Sequence, residues 1–227
     1  MLEVFGVIKT FRKVGERGLE KPLDGVSFTV GNGEIVGLMG KSGAGKSTIA
    51  RILCGTLRAD SGSASFGGEQ LFDNGHYSRS VGFGIQLIPQ QPFSALDPRQ
   101  RIGNAVMEPL LHHKIARSKA QAREIAVQLL RDALLEDELF MRLPSQLSGG
   151  QAQRAVIART LAVSPKLLIA DEATSMLDMS SQAQIIDIIR SLAESKGVSI
   201  LIISHDHNLI NTVCDRSYTL IDGRLHD

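Results

Sequence analysis

The chain has 227 residues, of which 43% are hydrophobic, so it can bury a substantial core and is not a disordered protein. Its 25 Lys and Arg residues nearly balance 24 Asp and Glu residues, and the formal net charge of +1 gives no indication of a dense cationic surface for nucleic acid or anionic lipid. The two cysteines, Cys54 and Cys214, form neither a disulfide framework nor a zinc-binding spacing.

The apolar runs of the sequence are short. The longest, KLLIAD and VSILIIS, fall well below the roughly 20 residues that a membrane-spanning helix needs. No charged-then-apolar leader precedes the first strand-like segment, so we expect a cytoplasmic protein. If this protein acts at a membrane, another chain must cross it.

The N-terminal segment predicts an antiparallel β-hairpin. A strand-like run from Leu2 to Phe11 precedes the polar stretch RKVGERGLEKP, which carries two glycines and a proline. The following run alternates and places Val26, Phe28 and Val30 on one face. Two strands joined by a polar connection therefore open the chain.

The stretch GKSGAGKST fits the phosphate-binding pattern G-x-x-x-x-G-K-S/T. It follows the predicted strand EIVGLM and precedes a helix in which Ile49, Ile52 and Leu53 recur at helical spacing. The glycines let backbone N–H groups turn towards phosphate oxygens, and the N-terminus of the helix adds its positive dipole end. A glycine turn that carries a lysine by chance is the alternative, which the flanking strand and helix disfavour.

Within this phosphate loop, we expect Lys46 to reach the β- and γ-phosphates of a nucleotide, Ser47 to bind Mg²⁺ and Thr48 to reinforce the phosphate shell. The nucleotide-binding residues expected here are Gly40, Lys41, Ser42, Gly43, Ala44, Gly45, Lys46, Ser47 and Thr48.

The middle of the chain predicts a mostly helical segment from about 92 to 160. The run RSKAQAREIAVQLLRDALL has the periodicity of a helix, with Ile125, Leu129, Ala133 and their neighbours on one side. The two histidines within the segment, His112 and His113, are interpreted as solvated.

After the helical segment, short apolar runs return. KLLIADE and VSILIISHD are separated by a predicted helix, and RSYTLIDGRL contains an Asp222-Gly223 turn typical of a hairpin. Apolar runs that alternate with helices predict a buried, mainly parallel sheet.

Candidate catalytic side chains follow two of these strands. Asp171 and Glu172 end LLIADE, at the sheet edge where ligands of such folds bind, so Asp171 can hold a metal through water and Glu172 can polarise an attacking water. His205 ends ILIISHD in the same way and can contact a γ-phosphate. The alternative for Asp171 and Glu172 is a pair of acids that merely ends a strand. The alternative for His205 is metal binding together with His207, but no further His or Cys cluster in the sequence supports a metal site of that kind.

A second polar, glycine-rich stretch, QLSGGQAQR from Gln146 to Arg154, also opens a predicted helix and is a second candidate anion site. Its LSGGQ core is the signature of ATP-binding cassette (ABC) proteins. The other motifs occur in that family's order: the phosphate loop, a Q-loop at Gln90, the signature, the Asp171-Glu172 pair, a D-loop SMLD from Ser175 to Asp178, and the switch His205. From end to end, the sequence resembles the nucleotide-binding subunit of an ABC transporter.

The resemblance implies an α/β fold: a P-loop NTPase ABC cassette with a RecA-like, mainly parallel sheet core, an N-terminal antiparallel β subdomain and a helical signature subdomain. It implies one domain over residues 1–227, with 1–91 and 161–227 as the catalytic core and about 92–160 as the helical subdomain. Many relatives continue past the final hairpin into a C-terminal extension, and we expect a minimal cassette without one.

The resemblance also implies that the cofactors are ATP and Mg²⁺. Two cassettes would close head to tail, so that the signature of one binds the γ-phosphate of ATP held by the other, and Asp178 would couple the two sites. The signature residues expected to contact nucleotide are Ser148, Gly149, Gly150 and Gln151.

The catalytic residues implied by the family are Glu172, His205, Gln90 and Lys46, and the Mg²⁺ ligands implied are Ser47, Gln90 and Asp171. Gln90 would contact the attacking water and sense the membrane subunit. Phe11 is the candidate for the aromatic residue that stacks on adenine, and a strand phenylalanine packed in the sheet is the alternative.

The segment IPQQPFSALDPRQRIGNAVMEPL is similar to the Q-loop region of the peptide and nickel importer ATPases. Within this segment, Gln91 replaces the usual acid and Asp97 replaces the usual asparagine. In the D-loop, Met176 replaces the usual small residue. None of these replacements removes a catalytic group. The resemblance implies a peripheral subunit on the cytoplasmic face of the membrane.

This branch implies a subunit that energises an importer of nickel, another chelated metal or short peptides. Its expected partners are a second cassette, identical or different, transmembrane permease subunits and, indirectly, an extracytoplasmic solute-binding protein, with no nucleic acid.

Two other functions are alternatives to a transport ATPase. A cassette for DNA repair or chromosome organisation would carry a long coiled coil between phosphate loop and signature, which the sequence lacks, and ribosome-acting relatives generally hold two cassettes in one chain. A small-molecule kinase fits the phosphate loop but gives LSGGQ no role.

Overall fold

The computed structural model describes residues 1–12 and 18–226. Residues 13–17, which belong to the predicted polar connection RKVGERGLEKP, lie outside the described residues, as does residue 227. The chain divides into two compact units. The first unit comprises Met1–Leu87, Lys166–Asp171 and Lys196–Asp227, and the second unit comprises Ile88–Pro165 and Glu172–Ser195. The helical subdomain bounds of about 92–160 stay a prediction.

The first unit contains an antiparallel sheet with the strand order β2-β1-β4-β5-β6. Its strands are β1 (Leu2–Arg12), β2 (Leu19–Val30), β4 (Ser61–Phe66), β5 (Glu69–Asp73) and β6 (His76–Tyr77). Leu2 pairs with Val30 and Val4 with Phe28, which confirms the predicted antiparallel hairpin. Because side chains alternate along a strand, the face with Val26, Phe28 and Val30 is the buried one.

A mainly parallel sheet, with the order β11-β10-β3-β9-β8-β7, accompanies it. Its strands are β3 (Ile35–Met39), β7 (Ile85–Ile88), β8 (Leu167–Asp171), β9 (Ser199–Ile203), β10 (Arg216–Ile221) and β11 (Arg224–His226). Parallel pairing joins β10 to β3, β3 to β9 and β9 to β8, so the carboxyl ends of these strands lie at one edge. The predicted buried parallel sheet is confirmed.

The final hairpin and the helices of this unit follow from local sequence. Asp222 and Gly223 have φ angles of 47° and 79°, the left-handed conformation that a tight turn between β10 and β11 requires. The helices here are α1 (Lys46–Leu53), α2 (Arg79–Gly82) and α7 (His207–Val213). Helix α1 buries Ile49, Ile52 and Leu53 in a core shared with both sheets.

The second unit is helical. Its helices are α3 (Ile102–His112), α4 (Lys119–Asp132), α5 (Gly149–Leu161) and α6 (Met179–Lys196), with short 3₁₀ turns at Pro92–Ala95, Asp137–Met141 and Pro144–Gln146. Helix α5 packs against α3 and α4 and is buried on nearly all sides. Among the described residues, no helix combines the length and apolar character needed to cross a bilayer.

The helix predicted for this segment is confirmed as α4. Ala122, Ala126, Leu130 and Ala133 are fully buried, whereas Ile125 and Leu129 are partly buried. The predicted row of Ile125, Leu129 and Ala133, together with its neighbours, therefore lies on the packed side of the helix.

Candidate functional site

The phosphate loop lies between β3 and α1, as predicted. Gly40, Gly43 and Gly45 have φ angles of 152°, 80° and 107°, which glycine adopts without strain. At two of these positions a side chain would also not fit. A Cβ added at Gly40 would lie 2.7 Å from the carbonyl oxygen of Leu220, and a Cβ added at Gly45 would lie 2.6 Å from the carbonyl oxygen of Pro22. The loop is thus shaped both by its own backbone and by the strands behind it.

Lys46 begins α1 and turns back over the loop. Its side chain is buried, and Nζ donates to the carbonyl oxygens of Gly40 at 2.7 Å and Lys41 at 3.1 Å. The positive charge is therefore held beside the loop whose N–H groups and helix dipole favour an anion. This arrangement can bind a polyphosphate.

Ser47 and Asp171 are brought together at the carboxyl edge of the parallel sheet. The Ser47 hydroxyl donates to Oδ1 of Asp171 at 3.0 Å. A hydroxyl and a carboxylate are hard oxygen donors of the kind Mg²⁺ prefers, usually together with water and substrate phosphates. The donor set therefore fits Mg²⁺.

A cavity of about 910 Å³ opens beside the phosphate loop. Gly40–Ala44 line it, as do His205, His207 and the Asp222-Gly223 turn. His205 follows β9 on the same sheet edge as Asp171, so the first unit brings this histidine to the loop as the strand order predicts.

Phe11 lies near the end of β1 and is not among the residues that line this cavity. Its side chain is 38% exposed, and Nζ of Lys9 lies 5.5 Å from the ring centroid. This exposure disfavours the alternative of a phenylalanine packed inside the sheet. Its stacking on adenine stays a prediction.

The signature lies at the start of α5 in the second unit. Ser148 is the N-cap: its hydroxyl accepts from the N–H of Gln151 at 3.2 Å, and the Gln151 side chain accepts from the N–H of Ser148 at 3.0 Å. This reciprocal capping box leaves the N–H groups of Gly149 and Gly150 in the first turn, where helices have no internal acceptor for them. The loop can therefore present N–H donors to an anion.

Asp178 caps the following helix, α6. Its carboxylate accepts from the N–H and the hydroxyl of Ser181, both at 2.9 Å, and these hydrogen bonds hold the pKa of Asp178 below its usual range. The same Ser181 packs against Gly150 of the signature. The D-loop and the signature are therefore neighbours within the second unit.

Gln90 is linked to the backbone of Glu172 within the second unit. Nε2 of Gln90 donates to the Ser175 hydroxyl at 3.3 Å, and this hydroxyl donates to the carbonyl oxygen of Glu172 at 3.0 Å. Glu172 has a φ of 51°, an uncommon conformation for a non-glycine residue that is often found at functional sites. Ser175 thus connects two predicted catalytic residues.

Sequence reasoning missed the contacts of Ser175 and Ser181. The spacing within each motif could have indicated these contacts. Ser175 lies three residues after Glu172, and Ser181 lies three residues after the helix cap Asp178, at the position whose N–H a cap usually binds. Neither position stands out by hydrophobicity or residue type.

Other ionisable groups fit no metal centre. Among residues 1–12 and 18–226, no group of three or more His, Cys, Asp and Glu side chains could hold a metal ion. His112 and His113 are exposed and stack edge to face, with ring centroids 4.8 Å apart. Burial raises the pKa of the Cys54 and Cys214 thiols to about 12, so both are poor nucleophiles and metal ligands at neutral pH.

Comparison with known proteins agrees with this arrangement. A profile of the ABC transporter family matches residues 23–175. The nickel import ATP-binding protein NikE of Pseudomonas putida is 40% identical over 230 residues, covering 99% of this chain and 84% of that protein. The oligopeptide transport ATP-binding protein OppF of Bacillus subtilis is 37% identical over 214 residues, covering 93% of this chain and 70% of that protein.

Among solved structures, the ATP-binding cassette MJ0796, in a dimeric post-hydrolysis state bound to ADP and Pi, is similar with a TM-score of 0.87 and 30% identity. The match covers 100% of this chain and 97% of that one. The predicted fold class and the predicted resemblance are confirmed.

Proposed function

The chain belongs to the ABC transporter family, and on this premise we propose that it is the ATP-hydrolysing subunit of a membrane importer. It binds nucleotide and couples hydrolysis to transport. The subunit is located at the cytoplasmic face of the membrane. Permease subunits cross the bilayer, and a solute-binding protein acts on the opposite side. The similarity to nickel and oligopeptide proteins supports nickel, another chelated metal or short peptides as the solute.

One observation carries this proposal: the chain holds two anion-binding loops of different construction, one in each compact unit. The phosphate loop carries Lys46 and lies at the end of a sheet strand. The signature loop is a capped helix N-terminus with two glycines and no cation in its LSGGQ core. Two such loops suit one nucleotide bound between two cassettes, where each chain supplies one loop to each ATP.

The chemistry follows from the side chains. Lys46 and the loop N–H groups hold the β- and γ-phosphates, and Thr48 supports them. Ser47 and Asp171 would hold Mg²⁺, with Gln90 as the further ligand that the family resemblance implies. The ion would supply positive charge that neutralises the transferring phosphate. Glu172 polarises the attacking water as general base, and His205 contacts the γ-phosphate.

The partner is a second cassette, identical or different, that closes head to tail. Ser148, Gly149, Gly150 and Gln151 then contact the γ-phosphate of ATP on that partner, and Asp178 couples the two sites. ATP favours the closed state and hydrolysis releases it, which is a ligand-driven shift between two populations. Both relatives described above are named as import or transport proteins, which disfavours DNA repair or ribosome work.

The test is Ser148→Arg. A bulky cation at this cap obstructs the signature loop, so we expect ATP binding by the phosphate loop to persist while ATP-dependent dimerisation and hydrolysis are lost. The measurements are nucleotide binding by fluorescence, dimerisation by gel filtration with ATP, and phosphate release.

Ser118→Arg is the matched control, because Ser118 caps α4 in the same unit through the same bond, accepting from the N–H of Gln121 at 3.1 Å. It should lower stability in a similar way and leave hydrolysis intact. Normal turnover by Ser148→Arg would contradict the composite site.

A further inference from the structure

Gln153 lies in α5, one helical turn after Gly149 of the signature. Its side chain is 1% exposed, and Nε2 donates to the carbonyl oxygen of Pro89 at 3.0 Å. Its Oε1 is buried and has no hydrogen-bond partner among the described residues. A buried polar side chain with one satisfied and one unsatisfied group calls for an explanation.

Packing alone does not account for glutamine here. A buried acceptor without a donor costs folding free energy, whereas an unbranched apolar side chain of the same length would not. Reversing the amide would place Oε1 against the carbonyl oxygen of Pro89, two acceptors facing each other, so the donor must point to Pro89. The hydrogen bond to Pro89 is therefore what the glutamine contributes.

Pro89 immediately precedes Gln90, whose side chain donates to Ser175, which in turn donates to the carbonyl oxygen of Glu172. These hydrogen bonds all lie within the second unit. They form a continuous path from the signature helix, through the backbone of the Q-loop, to the residue proposed as general base.

We propose that Gln153 is a positioning residue for hydrolysis: it ties the backbone at Pro89 to the signature helix and so keeps Gln90 aligned with Ser175 and Glu172. Helix α5 carries Gly149 and Gln153 one turn apart on one face, so a displacement of the signature is transmitted to the Q-loop through a rigid element. This inference rests on the proposed function.

Gln153→Met is the direct test, because methionine keeps the length and apolar volume while removing both the bond to Pro89 and the unsatisfied acceptor. We expect kcat to fall about tenfold, the value of one hydrogen bond, with KM for ATP unchanged since the phosphate loop is untouched. The melting temperature should change little, because the Pro89 carbonyl oxygen loses its donor while the unsatisfied acceptor is removed. An unchanged kcat overturns the proposal.

Gln128→Met is the matched control. Gln128 lies on α4 in the same unit, is exposed and donates to Asp132 at 2.7 Å, a local bond remote from the Q-loop path. It should change neither kcat nor KM, and a tenfold fall in its kcat would overturn the specificity of the result.

A double-mutant cycle separates positioning from stability. In a Gln90→Ala background the path is already broken, so Gln153→Met should have little further effect on kcat. If Gln153→Met also lowers the melting temperature, the effects of the two substitutions on kcat distinguish the two roles. Non-additive effects on kcat support positioning, and additive effects overturn it. If the unmodified protein hydrolyses no ATP, the proposed function fails; if it does and the cycle is additive, only this inference fails.

Discussion

Ser181 at the start of α6 lies directly against Gly150 at the start of α5. A Cβ built on Gly150 would lie 2.4 Å from the Ser181 hydroxyl oxygen and 2.7 Å from its Cβ. The hydroxyl is held in place by its hydrogen bond to Asp178. Gly149, by contrast, has Leu177 Cδ2 at 3.4 Å, an ordinary van der Waals distance. Packing against α6 therefore requires glycine at position 150, whereas the D-loop residue Leu177 leaves room for a Cβ at position 149.

The first prediction concerns Gly150→Ala. An added methyl group forces α5 and α6 apart, and overpacking of this kind costs about 1–3 kcal/mol. For a domain of this size we expect the melting temperature to fall by roughly 2–12 °C, measured by thermal unfolding. Gly149→Ala is the control and should shift it less. In a Ser181→Gly background, which lacks the obstructing side chain, Gly150→Ala should lower the melting temperature less than it does in the unmodified protein. An equal loss in both backgrounds would show that Ser181 is not the obstruction.

The second prediction concerns Glu172→Gln. Glutamine keeps the size and backbone of the residue but cannot accept a proton, so we expect kcat to fall at least about 100-fold. ATP binding should persist, and an ATP-bound dimer should accumulate in gel filtration. Glu194→Gln, an exposed carboxylate on α6 in the same unit, is the control and should hydrolyse ATP normally. Undiminished phosphate release by Glu172→Gln would remove it from the role of general base.

The third prediction tests Phe11. If its exposed ring stacks on adenine, Phe11→Ala should raise KM for ATP at least about fivefold, since stacking of a base on an aromatic side chain is worth about 1–3 kcal/mol. Phe5 is a suitable control because it lies on the same strand and is also exposed. Phe5→Ala should leave KM unchanged. Equal KM values for the two variants would identify Phe11 as an ordinary strand residue.

The fourth prediction is a pH dependence of stability. Arg216 donates to both carboxylate oxygens of Glu34, and these hydrogen bonds lower the pKa of Glu34 below its ordinary value of 4.5. A depressed pKa in the folded state stabilises the protein above the ordinary value, and this stabilisation is lost as the pH falls through the folded value.

The free energy of unfolding should therefore decline below about pH 4.5, and Glu34→Gln should weaken that decline. Urea unfolding at a series of pH values measures it. Glu69→Gln, which removes an exposed carboxyl group in the same unit, should keep the decline of the unmodified protein. An identical pH profile for Glu34→Gln would rule out this ion pair as the cause.

Local and periodic features were predictable from sequence. The first hairpin, the phosphate loop between strand and helix, the parallel strands and the Asp222-Gly223 turn all appear as expected, because each is encoded by alternation or by residues that only certain backbone conformations admit. The strands β4, β5 and β6 are not predicted by the sequence pattern. They are short, and β4 is built largely of Gly, Ser and Ala, which carry a weak hydrophobic pattern.

The sequence by itself determined the family, the chemistry of the phosphate loop and the position of each motif on a strand end or helix start, since these depend on neighbours along the chain. Only the tertiary structure decided which side chains meet. Ser181 against Gly150, Gln90 on Ser175 and Gln153 on Pro89 join residues distant in sequence. Such contacts depend on how particular helices pack and on where single hydrogen bonds can be made, and no periodicity in the sequence records either.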